Sequence, residues 1–226
     1  PREMQPSQPP HNVAALSKWQ ERRFLQYQGQ VAHTLDPHCG DEHYYTPDGP
    51  ILDSLLYVGK MHPTKGALEA VLMAKRLGIP IDVVGPMTAG DPPQYVQAVA
   101  EACSSGRRCT YWGEVSDEAK RELIRRAFAM VYLPQYDEAH SHKLVESMLC
   151  GTPVIVLDRA AMREVVEHKV TGYLIGSEAE MPDALQWCAT VDRQALRDAA
   201  LKRWSMQAAG ERMMEQVRLV AGGTRW

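Results

Sequence analysis

The stretch EAHSHKLVESMLCGTPVIVLD, residues 138–158, sets one carboxylate at the mouth of a helical segment and a second two turns further in. A Gly-x-Pro stop and an apolar, largely β-branched run follow. A run as short and as uniformly apolar as PVIVLD (153–158) predicts a strand buried on both faces, entered from a helix. The rest of the chain keeps the same beat. LLYVG (55–59), IDVVG (81–85), CTYWG (109–113) and AMVYLP (129–134) are strands of the same kind, and GYLI (172–175) adds a sixth. Between them lie KGALEAVLMAKRLG (65–78), closed by Gly78 and Pro80, and DPPQYVQAVAEACSSG (91–106), with Asp91 as N-cap and Pro92 in the first turn. SDEAKRELIRRAF (116–128) follows, capped by Ser116 and acidic where the helix dipole favours it. Strands alternating with helices of this length require right-handed crossovers and a parallel sheet. The fold class is therefore α/β, a doubly wound Rossmann-like sheet of about six strands with flanking helices.

The flanks fit less well. NVAALSKWQERRFLQY (12–27) predicts a strand end running into a helix, and HTLDPHCGDEHYYTPDGP (33–50) a polar loop, so residues 12–50 read as the end of another unit plus a linker. Residues 1–11 read as a flexible leader without the apolar core of a signal peptide, and the chain after residue 180 as two or three amphipathic helices closing a domain over 51–226. With 226 residues, 45% of them hydrophobic, the chain can bury a full core. A formal charge of −3 gives no general attraction to nucleic acid, and no apolar run approaches the roughly 20 residues of an integral membrane segment. Five cysteines without a C-x-x-C pair predict reduced thiols and a cytoplasmic protein.

Ligands of an open parallel sheet bind beyond the carboxyl ends of its strands. The loops there offer Gly59, Lys60 and Lys65 after the first strand, Gly85 after the second, Gly113 and Glu114 after the third, and Glu138 after the fourth. Glycines admit close backbone approach, and two lysines beside helix N-termini suit a phosphate. No G-x-G-x-x-G or P-loop sequence is present, which removes the usual marker of dinucleotide or P-loop NTP chemistry. A wholly helical 138–146 would set Glu138 and Glu146 about 12 Å apart, the span of a sugar, a diphosphate and a ribose. The carboxylates would accept from hydroxyls at the two ends, and the N–H groups of Ala139, His140, Ser141 and His142 would hold the phosphates between. Glutamates on an exposed helix face are the plainer alternative. His140 and His142 lack a third matched ligand, and no metal is expected.

On these residues the chain resembles the nucleotide-sugar-binding, C-terminal half of retaining GT-B glycosyltransferases of the group 1 type. YVGKMHPTKG, VVGP, YWGEVSDEA and the glutamate–seven residues–glutamate segment at 138–146 stand in that family's order. The resemblance implies transfer of a hexose from a UDP- or GDP-sugar donor to a hydroxyl acceptor with retention, without a cofactor. It further implies that Lys60 and Lys65 neutralise the diphosphate, Glu138 holds the sugar, Glu146 grips the ribose, and the base lies near Gly113 and Glu114. Lys60 stands where the family usually has Arg, and Ala139-His140-Ser141 where it usually has Gly-Phe-Gly. The acceptor side would belong to a separate or missing N-terminal domain. A non-catalytic nucleotide-sugar-binding or scaffolding module is the competing reading, and an epimerase-like domain would need acid/base pairs that the sequence does not display.

Overall fold

The computed structural model describes residues 13–28, 32–34, 40–47, 49–88, 90–105 and 108–223. The leader over 1–11 and Cys39 lie outside the described residues. The first described unit is β1 (Val13–Ala15), α1 (Lys18–Gln28) and β2 (Ala32–Thr34), two parallel strands joined through a helix into a small sheet of their own. The polar loop expected from residue 33 thus gives its first two residues to β2. Three residues are too few to show an alternating pattern.

The main sheet takes β3 (Leu55–Val58), β4 (Ile81–Val84), β5 (Cys109–Gly113), β6 (Ala129–Tyr132), β7 (Val154–Leu157) and β8 (Gly172–Ile175). Its strands are all parallel and run β5-β4-β3-β6-β7-β8 across the sheet. The intervening helices are α2 (Ala67–Leu77), α3 (Pro93–Ser104), α4 (Asp117–Arg126), α5 (His142–Leu149) and the short α6 (Met162–Val165). Three more close the chain: α7 (Met181–Thr190), α8 (Arg193–Trp204) and α9 (Met206–Ala221). Every residue of β3 and β6 is buried, because helices cover both faces of the sheet centre. β5 is an edge strand, and its side chains alternate between half-buried and exposed. No described helix is long and apolar enough to cross a membrane.

Three expectations are corrected. Asp91 does not cap α3, whose N-cap is Pro92 without a side-chain bond. The Asp91 carboxylate turns back instead to accept from the N–H and hydroxyl of Thr88 at 2.6 and 2.8 Å, a local turn that competes with capping. The helix holding Glu146 starts at His142, with Ser141 extended at the N-cap, so Glu138 stands outside it and the 12 Å helical span does not apply. The carbonyl of Glu138 accepts from Ala161 N–H at 3.2 Å and ties that backbone to the loop after β7. Finally, Cys103 and Cys109 form a disulfide, while Cys150 and Cys188 are free and buried. The end of α3 turns directly into β5 and sets their Cα atoms 4.7 Å apart, within bridging reach. Cysteine content therefore gives no support to a reducing compartment.

Candidate functional site

Counted along the chain, the main strands lie in the order 3-2-1-4-5-6, so connections diverge between β3 and β6 and leave a crevice at their carboxyl ends. The loops after these two strands border it. They are tied together where Gln135 N–H donates to the Thr64 carbonyl at 2.8 Å. Gly66 sits at φ 78°, and a Cβ there would lie 1.9 Å from the Leu133 carbonyl oxygen, so only glycine permits this approach. A 3-10 turn over Pro63–Lys65, capped by His62 Nδ1 accepting from Thr64 N–H, carries Lys65 across the crevice. Lys65 Nζ meets Glu138 Oε1 at 2.6 Å.

Glu138 is 8% exposed and fully engaged: Tyr132 donates its hydroxyl to Oε2, while Tyr136 and Lys65 donate to Oε1. A carboxylate this buried requires such partners, since desolvation would otherwise drive it to protonate. Burial works to lower the Lys65 amine, but Glu138 and Tyr136 outweigh it and hold it above the ordinary lysine value. Tyr57, from β3, donates its hydroxyl to the Lys65 carbonyl at 3.2 Å, and burial pushes its own pKa well up. The structure thus brings Lys65 and Glu138 into a direct ion pair, where the sequence reading set them on the phosphate and the sugar separately.

The glycine turns also gather at one edge. Gly59 N–H donates to the Val84 carbonyl and Gly85 N–H to the Gly113 carbonyl, each at 2.9 Å. A Cβ on Gly85 would stand 1.7 Å from the Gly59 carbonyl oxygen, which accounts for a glycine there. Lys60 does not join Lys65. Its amine faces Asp91 Oδ1 at 3.2 Å, and the Asp91 side chain is wholly buried. Burial works to raise that carboxyl, but Thr88 and Lys60 together hold it below its usual range. Glu114 is exposed beyond β5.

After Glu138, Ala139 and His140 are half-buried, Ser141 is buried and His142 is exposed. The His140 ring packs edge-on against His142 and Trp204, at 5.6 and 5.4 Å between centroids. It lines a cavity of about 300 Å³ with Leu16, Ser17, Lys18 and Glu164, and neither Glu138 nor Lys65 borders that space. Among the described residues no group of three or more His, Cys, Asp or Glu is placed to hold a metal ion. Glu146 lies on α5 facing α4, with Lys120 Nζ at 3.4 Å and the Tyr45 hydroxyl bonded to it; burial first and Glu146 second drive the Tyr45 pKa up.

Of the side chains around these groups, Tyr57, Tyr132, Tyr136, Lys120, Tyr45 and Lys143 were not singled out in the sequence, and Asp91 was read only as a helix cap. One left a signal: Tyr132 ends an otherwise apolar strand, and a buried tyrosine hydroxyl needs a partner. Lys143 left none, because its place in the first turn of α5, where the helix dipole disfavours a cation, follows from a helix start that the sequence reading set four residues early.

The fold and crevice define a protein of the GT-B glycosyltransferase class. AviGT4, a glycosyltransferase involved in avilamycin A biosynthesis, superposes with a TM-score of 0.75 at 26% identity over 94% of this chain and 65% of its own. HepE of Anabaena, solved with UDP and glucose, superposes with a TM-score of 0.77 at 20% identity over 92% of this chain and 62% of its own, a likeness of fold alone. The chain belongs to the glycosyl transferases group 1 family, whose model matches residues 53–190. Among curated relatives, the lipopolysaccharide 1,2-N-acetylglucosaminetransferase of Salmonella typhimurium is 25% identical over 181 residues, 73% of this chain. A D-inositol 3-phosphate glycosyltransferase of Thermobispora bispora is 32% identical over 93 residues, 37% of this chain and 22% of its own. The chain spans 48% of the Salmonella protein.

Proposed function

We propose that the chain is the donor-binding half of a retaining glycosyltransferase that moves a hexose from a nucleoside diphosphate sugar to a hydroxyl acceptor. The observation that carries this is the pair of glutamates in two settings: Glu138 inside the β3/β6 crevice on Lys65, and Glu146 beyond it on α5. A donor would lie between them. Its sugar hydroxyls would exchange with the Tyr136 hydroxyl or Lys65 amine at Glu138, its ribose would meet Glu146, and its diphosphate would lie along the Gly59 turn. The name of the N-acetylglucosaminetransferase supports transfer of a hexose-type sugar, and the UDP and glucose held by HepE support a nucleotide-linked donor. UDP is accordingly the first donor base to test and GDP the second.

Departure of the sugar leaves charge on the diphosphate, so a fixed cation such as Lys65 lowers the barrier by being in place beforehand. Lys65 is freed for that task once donor hydroxyls satisfy Glu138. Acceptor groups would come from the N-terminal half of the whole enzyme, and no metal is proposed. Calorimetry of the 226-residue chain against UDP, GDP, ADP and their hexose conjugates, without added metal, tests the reading. One nucleotide series should bind, and Lys65→Ala should weaken the diphosphate far more than the nucleoside. Failure of every series to bind would sink the donor site.

A further inference from the structure

Four lysines surround the crevice, and among the described residues three are held by carboxylates: Lys60 by Asp91, Lys65 by Glu138 and Lys120 by Glu146. Lys143 is the fourth. Its amine lies 3.4 Å from the centroid of the Tyr132 ring and 5.6 Å from that of Tyr57. Room for it exists because residue 59 is glycine, where a Cβ would stand 2.9 Å from the lysine nitrogen. The surroundings oppose a cation in two ways. It sits in the first turn of α5, at the positive end of the dipole, and although the residue as a whole is half-buried its amine packs over the two tyrosine rings rather than reaching open water. Ring faces return only part of that cost. Nothing in the packing of α5 requires an amine there, and a Met of the same length would fill the space.

We propose that Lys143 is a further ligand-binding residue of this site, a cation held over the Tyr132 and Tyr57 rings beside the Gly59 turn, whose amine takes an oxygen of the donor diphosphate. This rests on the donor-site reading above. The groups that face the amine are Tyr57 from β3, Lys65 from the 3-10 turn, Tyr132 from β6, Glu138 from the loop after it and Glu146 from its own helix, with Tyr136 behind Lys65 and Glu138. Burial brings the amine down to about 7, with Glu138 and Glu146 holding it up and Lys65 pressing it down. An anion bound to it raises that value. Below pH 7 the amine is charged with or without ligand and adds no pH dependence of its own. Above pH 7 binding must take up a proton, so affinity falls as pH rises.

The test is calorimetry of UDP and of uridine, with GDP and guanosine alongside, on the 226-residue chain and on Lys143→Met and Lys143→Arg. The pH series runs from about 7 to about 9, where the terminal phosphate, with a pKa near 6, is already ionised. For the diphosphate that binds the wild type, affinity should fall across the series. Lys143→Met should bind it about tenfold or more weakly with the slope gone, and the nucleoside should change by less than about twofold. Lys143→Arg, charged throughout, should bind tightly with no slope. Equal affinity in Lys143→Met, or equal loss for diphosphate and nucleoside, overturns the role of Lys143 and leaves the donor site standing. If both variants lose their cooperative unfolding transition, a flat wild-type series overturns it. A wild type that binds no diphosphate overturns the donor site, and this inference with it.

Discussion

The two glutamates sit at opposite ends of the proposed donor site and are kept in different ways. Glu138 is gripped from β3, β6 and the loop after β6 by an amine and two phenol hydroxyls, and little of its side chain reaches solvent. Glu146 is met by one lysine at 3.4 Å and one tyrosine, with 19% of its side chain exposed. The first side chain is 10% exposed with three partners, and the second 19% exposed with two. Under the proposed donor site, Glu138 would contribute to stability as well as recognition, and Glu146 more to recognition.

The sharpest way to break this contrast is Glu138→Ala, which strands the Lys65 amine and the hydroxyls of Tyr132 and Tyr136. A stability loss of about 3 kcal/mol is expected, read from the urea midpoint at unchanged m-value. A loss below about 1 kcal/mol would mean that the cluster is open to water. Next comes Glu146→Ala. It should lower the midpoint by less than Glu138→Ala does while weakening nucleoside binding by about 1.5–3 kcal/mol, and the reverse pattern would exchange the roles of the two glutamates.

A smaller effect of opposite sign is expected for Lys143→Met. A lysine whose folded pKa lies near 7 rather than 10.5 destabilises the native state most below pH 7, and less as pH rises toward 10.5. The variant should gain on the order of 1 kcal/mol at neutral pH, with the gain shrinking in alkali. A gain that grows with pH would contradict the buried amine. Smallest is Lys60→Ala. Its side chain is 44% exposed, and Asp91 keeps both bonds from Thr88, so the midpoint should move by under about 1 kcal/mol. A larger shift would make the Lys60–Asp91 pair a structural tie across the β4 loop.

The alternation of short apolar runs with amphipathic segments foretells the six main strands, because that pattern is the burial pattern itself. That Lys65 and Glu138 border one crevice is legible for a second reason: in a parallel sheet the ligand-facing loops follow the strands. What escapes the sequence depends on which side chains meet across the sheet. Lys60 finds Asp91 from the next strand's loop, and Tyr45 reaches Glu146 from far upstream. The start of α5 is misplaced because Ala139 and His140 carry no strong stop signal, while the Glu138 carbonyl is pinned from the loop after β7. The Cys103–Cys109 pair has no recognised spacing, and only the tight turn from α3 into β5 brings it together.

The first turn of α1 rests on a residue far ahead of it. Lys18 and Trp19 give their N–H groups to the Glu164 carboxylate at 2.6 and 2.7 Å, with 146 and 145 positions of chain between. A ribosome delivers residues in order, and the strand pairs of β1 and β2 are available early, whereas this latch cannot close until nearly the whole sheet has been made. The small unit of β1, α1 and β2 is thus made ahead of the main sheet and secured only after most of that sheet exists.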